Sequence, residues 1–374
     1  MKYSYLVIAV LFLNLLKGQD IAVYQDDRYQ LFVFENNRIK KIEFTPVYRY
    51  YFGRDYVVYV NNLFEFKLYH KGIKYTILPR SPDTVIANDY LLGYIQAGQL
   101  GIFDGKVSKA LQNFVGKSFS LGDSLFVYLD NFNMLQAYSN DNKILIEKWV
   151  PENFIFWGAD NIFAYLSMQE ELILLDAVGN KEIIENYKPK EVKIGRNILA
   201  YNDYIGSFKI WNFNQLETVE NYYVQGLQAG NDFAVYFTNL NIFMGYYRGV
   251  KTELLPFKPS TYIIKRNLMA YTDNANNFYL FYQGKKIKLE NYTPKKYLID
   301  DDIIVYQDIN GRLKGVINGR QVIITDQIVV DFELCNKSVV FYDLTPSDKK
   351  VWSNGDIFTM IVETREKKLN EQKY

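Results

Sequence analysis

The sequence predicts an all-β protein built from about ten repeats of roughly 35 residues, each folded as four short strands. Three observations predict it. A four-residue motif ending in tyrosine recurs along the chain, its spacing is nearly constant, and the segments around it alternate between apolar and polar residues. Alternation with a period of two is typical of strands rather than helices.

The recurrent motif consists of two large apolar residues, usually a small or β-branched residue, and then tyrosine. Its ten copies are Ile21–Tyr24, Tyr56–Tyr59, Leu91–Tyr94, Leu125–Tyr128, Ile162–Tyr165, Ile198–Tyr201, Phe233–Tyr236, Leu268–Tyr271, Ile303–Tyr306 and Val339–Tyr342. The steps between successive tyrosines are 35, 35, 34, 37, 36, 35, 35, 35 and 36 residues. Spacing this constant indicates an internal structural repeat.

One unit, residues 191–220, shows the four strands most clearly. We predict them at Glu191–Ile194, Ile198–Tyr201, Ser207–Trp211 and Leu216–Val219. Their short lengths, their alternation and their Val, Ile, Tyr and Phe content favour strands. The units have no apolar stripe with a period of 3.6 residues, which disfavours a helical repeat.

Two polar features keep the same phase as the motif. A turn rich in Asn, Asp or Gly usually precedes it, as at Asn88–Asp89 and Gly195–Asn197. We expect positive φ angles there, because these residues tolerate them in tight hairpins. Further upstream, several units carry a five-residue pattern. It begins with Glu, continues with a polar residue, an aromatic residue and one variable residue, and ends with Pro, as in Glu185–Pro189 and Glu290–Pro294. The pattern decays in places, and Lys106–Gly122 has neither the proline nor the aromatic residue.

Four short antiparallel strands per unit, repeated many times, are typical of a β-propeller. Such thin sheets need stacking to bury both faces. The strand rhythm, with the turn before Ile198–Tyr201, resembles the WD40-like and TolB-like propeller superfamily over nearly the whole chain. That family's Trp-Asp ending and Ser-Pro-Asp-Gly turn are absent, and Ser81-Pro82-Asp83 occurs once, out of phase. The resemblance therefore implies a fold and carries over no functional residue.

The sequence leaves the number of blades and the mode of closure open. We prefer one propeller of about ten blades, with two tandem propellers or an open β-solenoid as alternatives. The first unit begins at its second strand, because the residues ahead of it form a predicted leader. We assign residues 20–363 to the propeller domain and residues 364–374 to a charged C-terminal tail.

Residues 1–19 are predicted to be a secretory signal peptide. Lys2 precedes an apolar run of twelve residues, Tyr5–Leu16, interrupted only by Asn14. Such a run is too short to span a bilayer, which takes roughly 20 residues. The alternative is a buried N-terminal strand or helix. We expect cleavage near Gln19, export to the periplasm or the cell surface, and no membrane span in the mature chain.

Composition excludes several classes of function. The chain has 43 Lys and Arg against 42 Asp and Glu, which gives a net charge of +1. This balance argues against non-specific electrostatic binding of the whole chain to nucleic acid or anionic lipid. One cysteine and one histidine exclude a disulfide framework, a Cys/His zinc site and any triad with two histidines. We predict no catalytic, cofactor-binding or metal-binding residues.

Four polar candidates have a simpler structural interpretation. His70 could be a general base or a metal ligand, but its position beside Lys71-Gly72 favours a surface turn. Cys335 could be a reactive thiol, but it has the surroundings of a small buried residue. Asp300–Asp302 is the densest acidic cluster and is interpreted as a solvated turn, although a glycosidase-type pair is the alternative. Asp308–Gly311 resembles a calcium loop weakly and an Asn-Gly turn more closely.

Aromatic residues outside the repeat are the better binding candidates, because the fold does not demand them. The periodic tyrosines are expected to pack between blades. The non-periodic candidates are Trp149, Phe154, Phe156 and Trp157, then Tyr246 and Tyr247 beside Arg248, and Tyr48–Tyr51. Exposed Tyr, Trp and Arg are the usual anchors of interfaces.

These observations favour an exported, non-catalytic propeller that acts as a protein-interaction scaffold in the bacterial cell envelope. A Lys-, Asn-, Ile- and Tyr-rich chain with a Gln-ended leader is typical of some Gram-negative bacteria. The expected partner is an envelope or surface protein, with no nucleic acid and no cofactor. One alternative is a carbohydrate-binding or carbohydrate-cleaving propeller that uses rim aromatics and carboxylates on a glycan. Another is a purely structural subunit of an assembly or secretion machinery.

Overall fold

The computed structural model describes residues 21–106, 108–112, 115–151, 153–344 and 349–359. The predicted signal peptide and C-terminal tail lie outside the described residues. All 39 described elements are β-strands, so the described part contains no helix that could cross a membrane. The chain divides into two compact units: unit 1 comprises residues 1–81 and 331–374, and unit 2 comprises residues 82–330.

Unit 2 consists of seven antiparallel sheets of four strands, which we call blades 3 to 9. Neighbouring strands in each sheet follow chain order. The strands are β8 Thr84–Ala87, β9 Leu92–Gln96, β10 Gln99–Phe103, β11 Lys109–Gln112; β12 Val115–Leu121, β13 Phe126–Asp130, β14 Leu135–Ser139, β15 Asn142–Glu147; β16 Phe156–Gly158, β17 Ile162–Leu166, β18 Leu172–Asp176, β19 Lys181–Glu185; β20 Glu191–Ile194, β21 Ile198–Asn202, β22 Phe208–Asn212, β23 Gln215–Glu220; β24 Gln225–Ala229, β25 Phe233–Phe237, β26 Phe243–Tyr247, β27 Val250–Leu255; β28 Thr261–Lys265, β29 Leu268–Thr272, β30 Phe278–Tyr282, β31 Lys285–Glu290; β32 Tyr297–Asp300, β33 Ile303–Gln307, β34 Leu313–Ile317, β35 Arg320–Thr325.

Unit 1 holds blades 1, 2 and 10. Blade 1 has three strands because the described chain enters at the second strand of the repeat, as the sequence predicted. The strands are β1 Ala22–Gln25, β2 Leu31–Glu35, β3 Arg38–Glu43; β4 Val47–Phe52, β5 Tyr56–Asn61, β6 Phe66–His70, β7 Ile73–Leu78; and β36 Val329–Cys335, β37 Ser338–Asp343, β38 Lys350–Ser353, β39 Asp356–Thr359. The four strands predicted between residues 191 and 220 are β20 to β23, with ends that agree within one residue.

The tyrosine motif forms the second strand of each blade, and its alternate residues face opposite neighbours. In β21, Leu199 and Tyr201 pack with residues of blade 5 such as Leu174. Ile198 and Ala200 pack with residues of blade 7 such as Tyr236. All four residues of this motif are fully buried. A strand buried on both faces reads as a continuous apolar run, which is why the motif stands out in the sequence.

A hydrogen bond between neighbouring blades explains both the periodic tyrosine and the periodic glutamate. The Tyr236 hydroxyl donates to Glu220 over 2.9 Å, and the Tyr306 hydroxyl donates to Glu290 over 3.1 Å. In both pairs the glutamate ends the fourth strand of one blade and the tyrosine lies 16 residues later in the next. The predicted inter-blade packing of these tyrosines is confirmed.

Each blade has two different ends. We call one the turn end: it carries the turn between the first and second strands and the hairpin between the third and fourth. We call the other the loop end: it carries the loop between the second and third strands and the linker to the next blade. This division follows from the antiparallel strand order.

Positive φ angles were expected in the turns before the motif, but at the turn end they lie mainly in the hairpins between the third and fourth strands. Several third-to-fourth-strand hairpins have two residues with positive φ, as at Asn318 (49°) and Gly319 (78°). In the described turns before the motif, Arg266, Asp301 and Asn336 have them. Glycine has another role in those turns. A Cβ on Gly195 would lie 1.6 Å from the carbonyl oxygen of Gly230, so neighbouring turns approach too closely for a side chain.

A side-chain cap shapes most loops at the loop end. The second residue after the motif tyrosine accepts hydrogen bonds from backbone N–H groups of its own loop. Asp203 Oδ1 accepts from the N–H groups of Gly206 and Ser207 over 2.7 and 2.8 Å. The equivalent residues are Asp26, Asn61, Asp130, Ser167, Thr238, Asp273 and Asp308. Short polar side chains form such turns by satisfying backbone donors locally.

Within unit 1, the first blade packs directly against the last. The Cys335 thiol donates to the carbonyl oxygen of Val23 over 3.2 Å. The Asn336 amide donates to the carbonyl oxygens of Ile21 and Gly53 over 2.7 and 3.1 Å. Cys335 is buried, which confirms its interpretation as a small core residue.

Candidate functional site

A groove opens at the loop end between blades 4 and 5, and we call it the Trp149 groove. It encloses about 650 Å³. One wall is the linker that carries Trp149, Val150 and Pro151, and the other is the loop that carries Met168. Trp149 is 53% exposed and Met168 is 67% exposed. Two large apolar side chains therefore flank an open, concave surface.

A break in the repeat accounts for the groove. Pro151 precedes Tyr165 by 14 residues, whereas Pro189 precedes Tyr201 by 12. The Glu147–Tyr165 pair is accordingly 18 residues apart instead of 16. The two extra residues lie ahead of β16, which is only three residues long. Longer chain leading into a shorter first strand leaves space between the blades.

Aromatic rings form one side of the groove. The ring of Phe154 lies 5.7 Å from that of Tyr165 and 5.7 Å from that of Phe156. The Phe156 ring continues the contact to Phe163 at 5.4 Å. Rings held by one another give a rigid apolar surface, which binds a ligand with little loss of side-chain entropy.

Polar groups at the groove are already paired. The Tyr165 hydroxyl donates to Glu147 over 2.6 Å, and Lys181 Nζ lies 2.9 Å from the same carboxylate. Burial alone would raise the pKa of Glu147, but these two partners lower it below its usual value. Ser167 donates to Glu171 over 3.1 Å. The groove thus offers apolar contacts with polar groups at fixed positions, as ligand pockets usually do.

The structure brings together two of the four aromatic residues predicted here. Trp149 and Phe154 both line the groove. Phe156 and Trp157 lie on β16 and pack instead against the cores on its two sides. The signal that locates the groove was present in the sequence, because the step of 37 residues between Tyr128 and Tyr165 is the largest of the nine.

The other aromatic candidates have structural partners. Tyr246 is buried and donates to Glu217 over 2.7 Å. Arg248 pairs with Asp232 over 3.0 Å. In unit 1, exposed Tyr48 stacks on exposed Phe64 with ring centres 5.3 Å apart. None of these residues lines the Trp149 groove.

A second polar cluster lies at the turn end of unit 2. The Arg266 guanidinium donates to both oxygens of Asp89 over 2.5 Å, although the two residues are 177 positions apart. Asn88 donates to Asp160 over 3.1 Å, and the backbone N–H of Asp89 donates to Asp123 over 3.3 Å. Turns from blades 3, 4, 5 and 8 therefore meet, although sequence reasoning treated each turn separately.

Asp123 is the unusual member of this cluster. Its side chain is 1% exposed, and Oδ2 has no hydrogen-bond partner among the described residues. The nearest cation is Arg196, with Nη2 3.7 Å from Oδ2. Burial, followed by the charges of Asp160 and Asp89, raises the pKa of Asp123 to about 7. A carboxyl with so little exposure titrates near neutrality but does not face a substrate.

Two predictions about polar candidates were wrong. His70 is not a surface turn residue: it ends β6, is 8% exposed, and has Nε2 3.2 Å from Asp55 Oδ2. Asp300–Asp302 is not a solvated turn, since Asp301 is 7% exposed and accepts a hydrogen bond from Asn267. In both cases burial comes from neighbouring structure that a local pattern does not reveal.

Asp308 has a capping role in place of a calcium-loop role. Its Oδ1 accepts from the N–H groups of Asn310 and Arg312 over 2.8 and 3.0 Å. Asn310 precedes Gly311, whose φ is 81°, so the predicted Asn-Gly turn is present. In the ranges that the structure describes, no group of three or more His, Cys, Asp or Glu residues could hold a metal ion.

Comparison with known proteins agrees with this architecture. The family described as "10-bladed beta propeller domain" matches residues 15–358. No curated protein matches the chain. Among solved structures, the CRINKLY WD40 ectodomain of the Arabidopsis thaliana receptor kinase ACR4 is 12% identical, with a TM-score of 0.32; the match covers 64% of this chain and 93% of that one.

Two further solved structures are similar at the same level. The computationally designed Ika8 protein is 12% identical, with a TM-score of 0.36, and the match covers 80% of this chain and 100% of that one. PorZ, a surface component of the type-IX secretion system of Porphyromonas gingivalis, is 8% identical, with a TM-score of 0.32; coverage is 75% of this chain and 45% of that one. These figures concern the fold alone.

The family match spans most of the chain and states the blade number that the sequence left open. Ten sheets, nine of them four-stranded, agree with it. The predicted β-propeller fold is confirmed by the family match and by the described sheets. The chain therefore belongs to the family of ten-bladed β-propeller domains.

Proposed function

We propose that this protein is an exported, non-catalytic propeller that acts as a protein-interaction scaffold in the bacterial cell envelope, and that it binds an apolar segment of a partner protein in the Trp149 groove. The groove carries the proposal because it lies where the spacing of the repeat is longest, at 37 residues. A fold that repeats one unit does not need two extra residues there.

The chemistry of the groove favours a peptide. Trp149 and Met168 are of the types enriched in protein interfaces, and Phe154 gives them a rigid base. The outer strand β15 leads into the groove and has a partner on one side only. An extended segment could pair with this strand and place one large side chain beside Trp149, a common mode of peptide recognition.

A non-catalytic role is supported by the pairing of Glu147 and the burial of Asp123. Glu147 is held by Tyr165 and Lys181, and Asp123 is nearly inaccessible. General acid catalysis requires a carboxyl within hydrogen-bond reach of the substrate. Asp123 is too buried to meet this requirement, and the Glu147 carboxylate is already engaged by two partners.

The test is a selection of peptides from a displayed library against the folded protein, followed by affinity measurements with Trp149→Ala. We expect the selected peptides to carry a large apolar residue and to lose at least about tenfold in affinity, as removal of an interface anchor does. Tyr187→Ala is the matched control, because Tyr187 is the linker aromatic of the next blade but does not line the groove. Equal losses in both variants, or no selected peptide, would refute the groove as the binding site.

Carbohydrate binding is the alternative at the same groove, since an exposed tryptophan beside Gln169 and Glu171 could stack on a sugar and bond its hydroxyls. A glycan array with wild type and Trp149→Ala separates the two. Binding to a glycan that depends on Trp149, without any peptide binding, would replace the peptide proposal.

Export is tested separately. In cell fractions of the source organism, we expect the mature protein in the envelope or the medium, with an N-terminus near Asp20. An unprocessed cytoplasmic protein that begins at Met1 would overturn the localisation and leave the groove proposal standing.

A further inference from the structure

The loop end of unit 2 exposes large apolar side chains in five of its seven blades. They occupy the tips of the loops between the second and third strands. Their exposure is among the highest in the described chain: 68% for Phe132, 67% for Met168, 64% for Tyr204, 83% for Ile205, 74% for Leu240 and 75% for Ile309. Apolar residues exposed singly are ordinary, but exposure at the same loop in five blades calls for a reason.

The loop caps hold these side chains outward. Asp203 accepts from Gly206 and Ser207, so Tyr204 and Ile205 lie at the apex of a fixed turn. Thr238 accepts from the N–H groups of Leu240 and Ile242 in the same way. Each tip is thus presented by a rigid turn, whose hydrogen bonds join backbone N–H groups to the capping side chain and do not involve the side chains at the tip.

Exposed lysines accompany the tips. Lys188, Lys190, Lys258 and Lys295 lie in the linkers at this end, and none of them has an ion pair in the part of the chain that the structure describes. Most acidic residues at the same end are buried and form ion pairs or hydrogen bonds. Asp203, for example, pairs with Lys209 over 3.0 Å. The fully exposed acids of these linkers and loops in blades 5 to 9 are Glu170 and Asp326.

We propose that the loop end of unit 2 docks onto an anionic lipid surface, with the apolar tips inserted at the headgroup boundary and the linker lysines beside the phosphates. Exposed Tyr204 and the linker lysines are of the types found at membrane interfaces. A broad protein interface across all the tips is disfavoured because such interfaces are depleted in lysine and have a contiguous apolar core. Separate projecting tips with cations between them fit a surface of mobile lipids better.

The near-zero charge of the whole chain does not contradict this. The first-to-second-strand turns of unit 2, with the strand ends beside them, carry Asp89, Asp123, Asp160, Asp232 and Asp300–Asp302 against Arg196, Lys265 and Arg266. The excess of acid in these turns offsets the lysines of the linkers at the loop end. Such an asymmetry orients the molecule at a negative surface while leaving the net charge small.

The experiment is flotation with vesicles of phosphatidylcholine alone and of phosphatidylcholine with 30% phosphatidylglycerol, a composition chosen as roughly that of a strongly anionic membrane. We expect wild type to float with the anionic vesicles, less so as salt is raised. Combined Ile205→Ser, Leu240→Ser and Ile309→Ser should reduce the partition coefficient at least about tenfold. Lys188→Gln, Lys258→Gln and Lys295→Gln should remove most of the preference for anionic lipid.

Val178→Ser with Phe213→Ser is the matched control, because both residues are exposed apolar side chains in hairpins at the turn end. None of these substitutions touches the Trp149 groove, so peptide binding reports separately on the proposed scaffold function. The lipid proposal is wrong if wild type floats with neither vesicle, or if the control variant loses as much binding as the tip variant. It is also wrong if the tip substitutions instead dissociate a dimer in sedimentation, which would make this end an interface between two copies.

Discussion

The tyrosine that ends the motif does two things at once. Its ring fills the space between two blades, and in Tyr165, Tyr201, Tyr236 and Tyr306 its hydroxyl donates to the glutamate of the blade before. Tyr271 is an informative exception, because Leu255 occupies the position 16 residues earlier. Its hydroxyl has no hydrogen-bond partner among the described residues. The chain therefore contains the same buried ring with and without its acceptor.

This difference predicts opposite outcomes for one substitution at two sites. Tyr236→Phe should lower the free energy of unfolding by about 1 kcal/mol, because a hydrogen bond to a carboxylate is lost. Tyr271→Phe should be neutral or slightly stabilising, since it removes a buried hydroxyl that has no acceptor. Urea unfolding of both variants measures this. Equal losses at the two sites would show that ring packing alone matters.

Asp123 offers a second test at the scale of one residue. Its raised pKa means that ionisation costs stability in the folded state, so Asp123→Asn should increase the free energy of unfolding at pH 8 by about 2 kcal/mol. The gain should shrink as pH falls towards 4. Asp203→Asn is the control with the opposite sign, because the hydrogen bonds and Lys209 lower the pKa of Asp203 despite its burial. Denaturant midpoints at pH 8 should move in opposite directions, and a shared direction would contradict the assignment.

At the scale of the element, the capped loop is the feature that sequence reasoning missed. The strands, their alternation and the inter-blade role of tyrosine were predictable, because each depends on residues that recur with little change. The cap varies among Asp, Asn, Ser and Thr, so no single residue type marks it. His70 and Asp301 were misjudged for a different reason. Their burial depends on contacts beyond their own strand, and those contacts have no local pattern.

The cap itself can be tested at Thr238, where a near-isosteric change removes only the acceptor. Thr238→Val should cost about 1 kcal/mol, because the N–H groups of Leu240 and Ile242 lose their partner. Thr238→Ser keeps the hydroxyl and should cost less. Thermal unfolding of the pair measures the difference. A valine variant as stable as the serine variant would show that the loop conformation does not depend on the cap.

At the scale of the whole molecule, the acidic groups predict an asymmetric response to pH. Asp203, Asp273 and Asp308 have lowered pKa values, because hydrogen bonds and cations outweigh their burial. Their stabilisation is present above about pH 4 and is lost as pH falls through their folded-state pKa values. Asp123 acts in the other direction, and its contribution is lost as pH rises from about 4 to about 7. Stability should therefore be highest on the acidic side of neutrality, and guanidinium midpoints measured from pH 3 to pH 8 would contradict this if they rose steadily to pH 8.

The pairing of a glutamate with the motif tyrosine of the next blade has a consequence for how such a chain can lengthen. Blades 5 and 6 each carry a hydroxyl donor for the blade before and a carboxylate acceptor for the blade after. Tandem duplication of such a repeat unit would thus add a blade that can form this hydrogen bond with both of its neighbours. Lengthening by whole units requires no new residues at the interfaces between blades. An insertion of two residues, as before β16, changes one interface and leaves the others as they were.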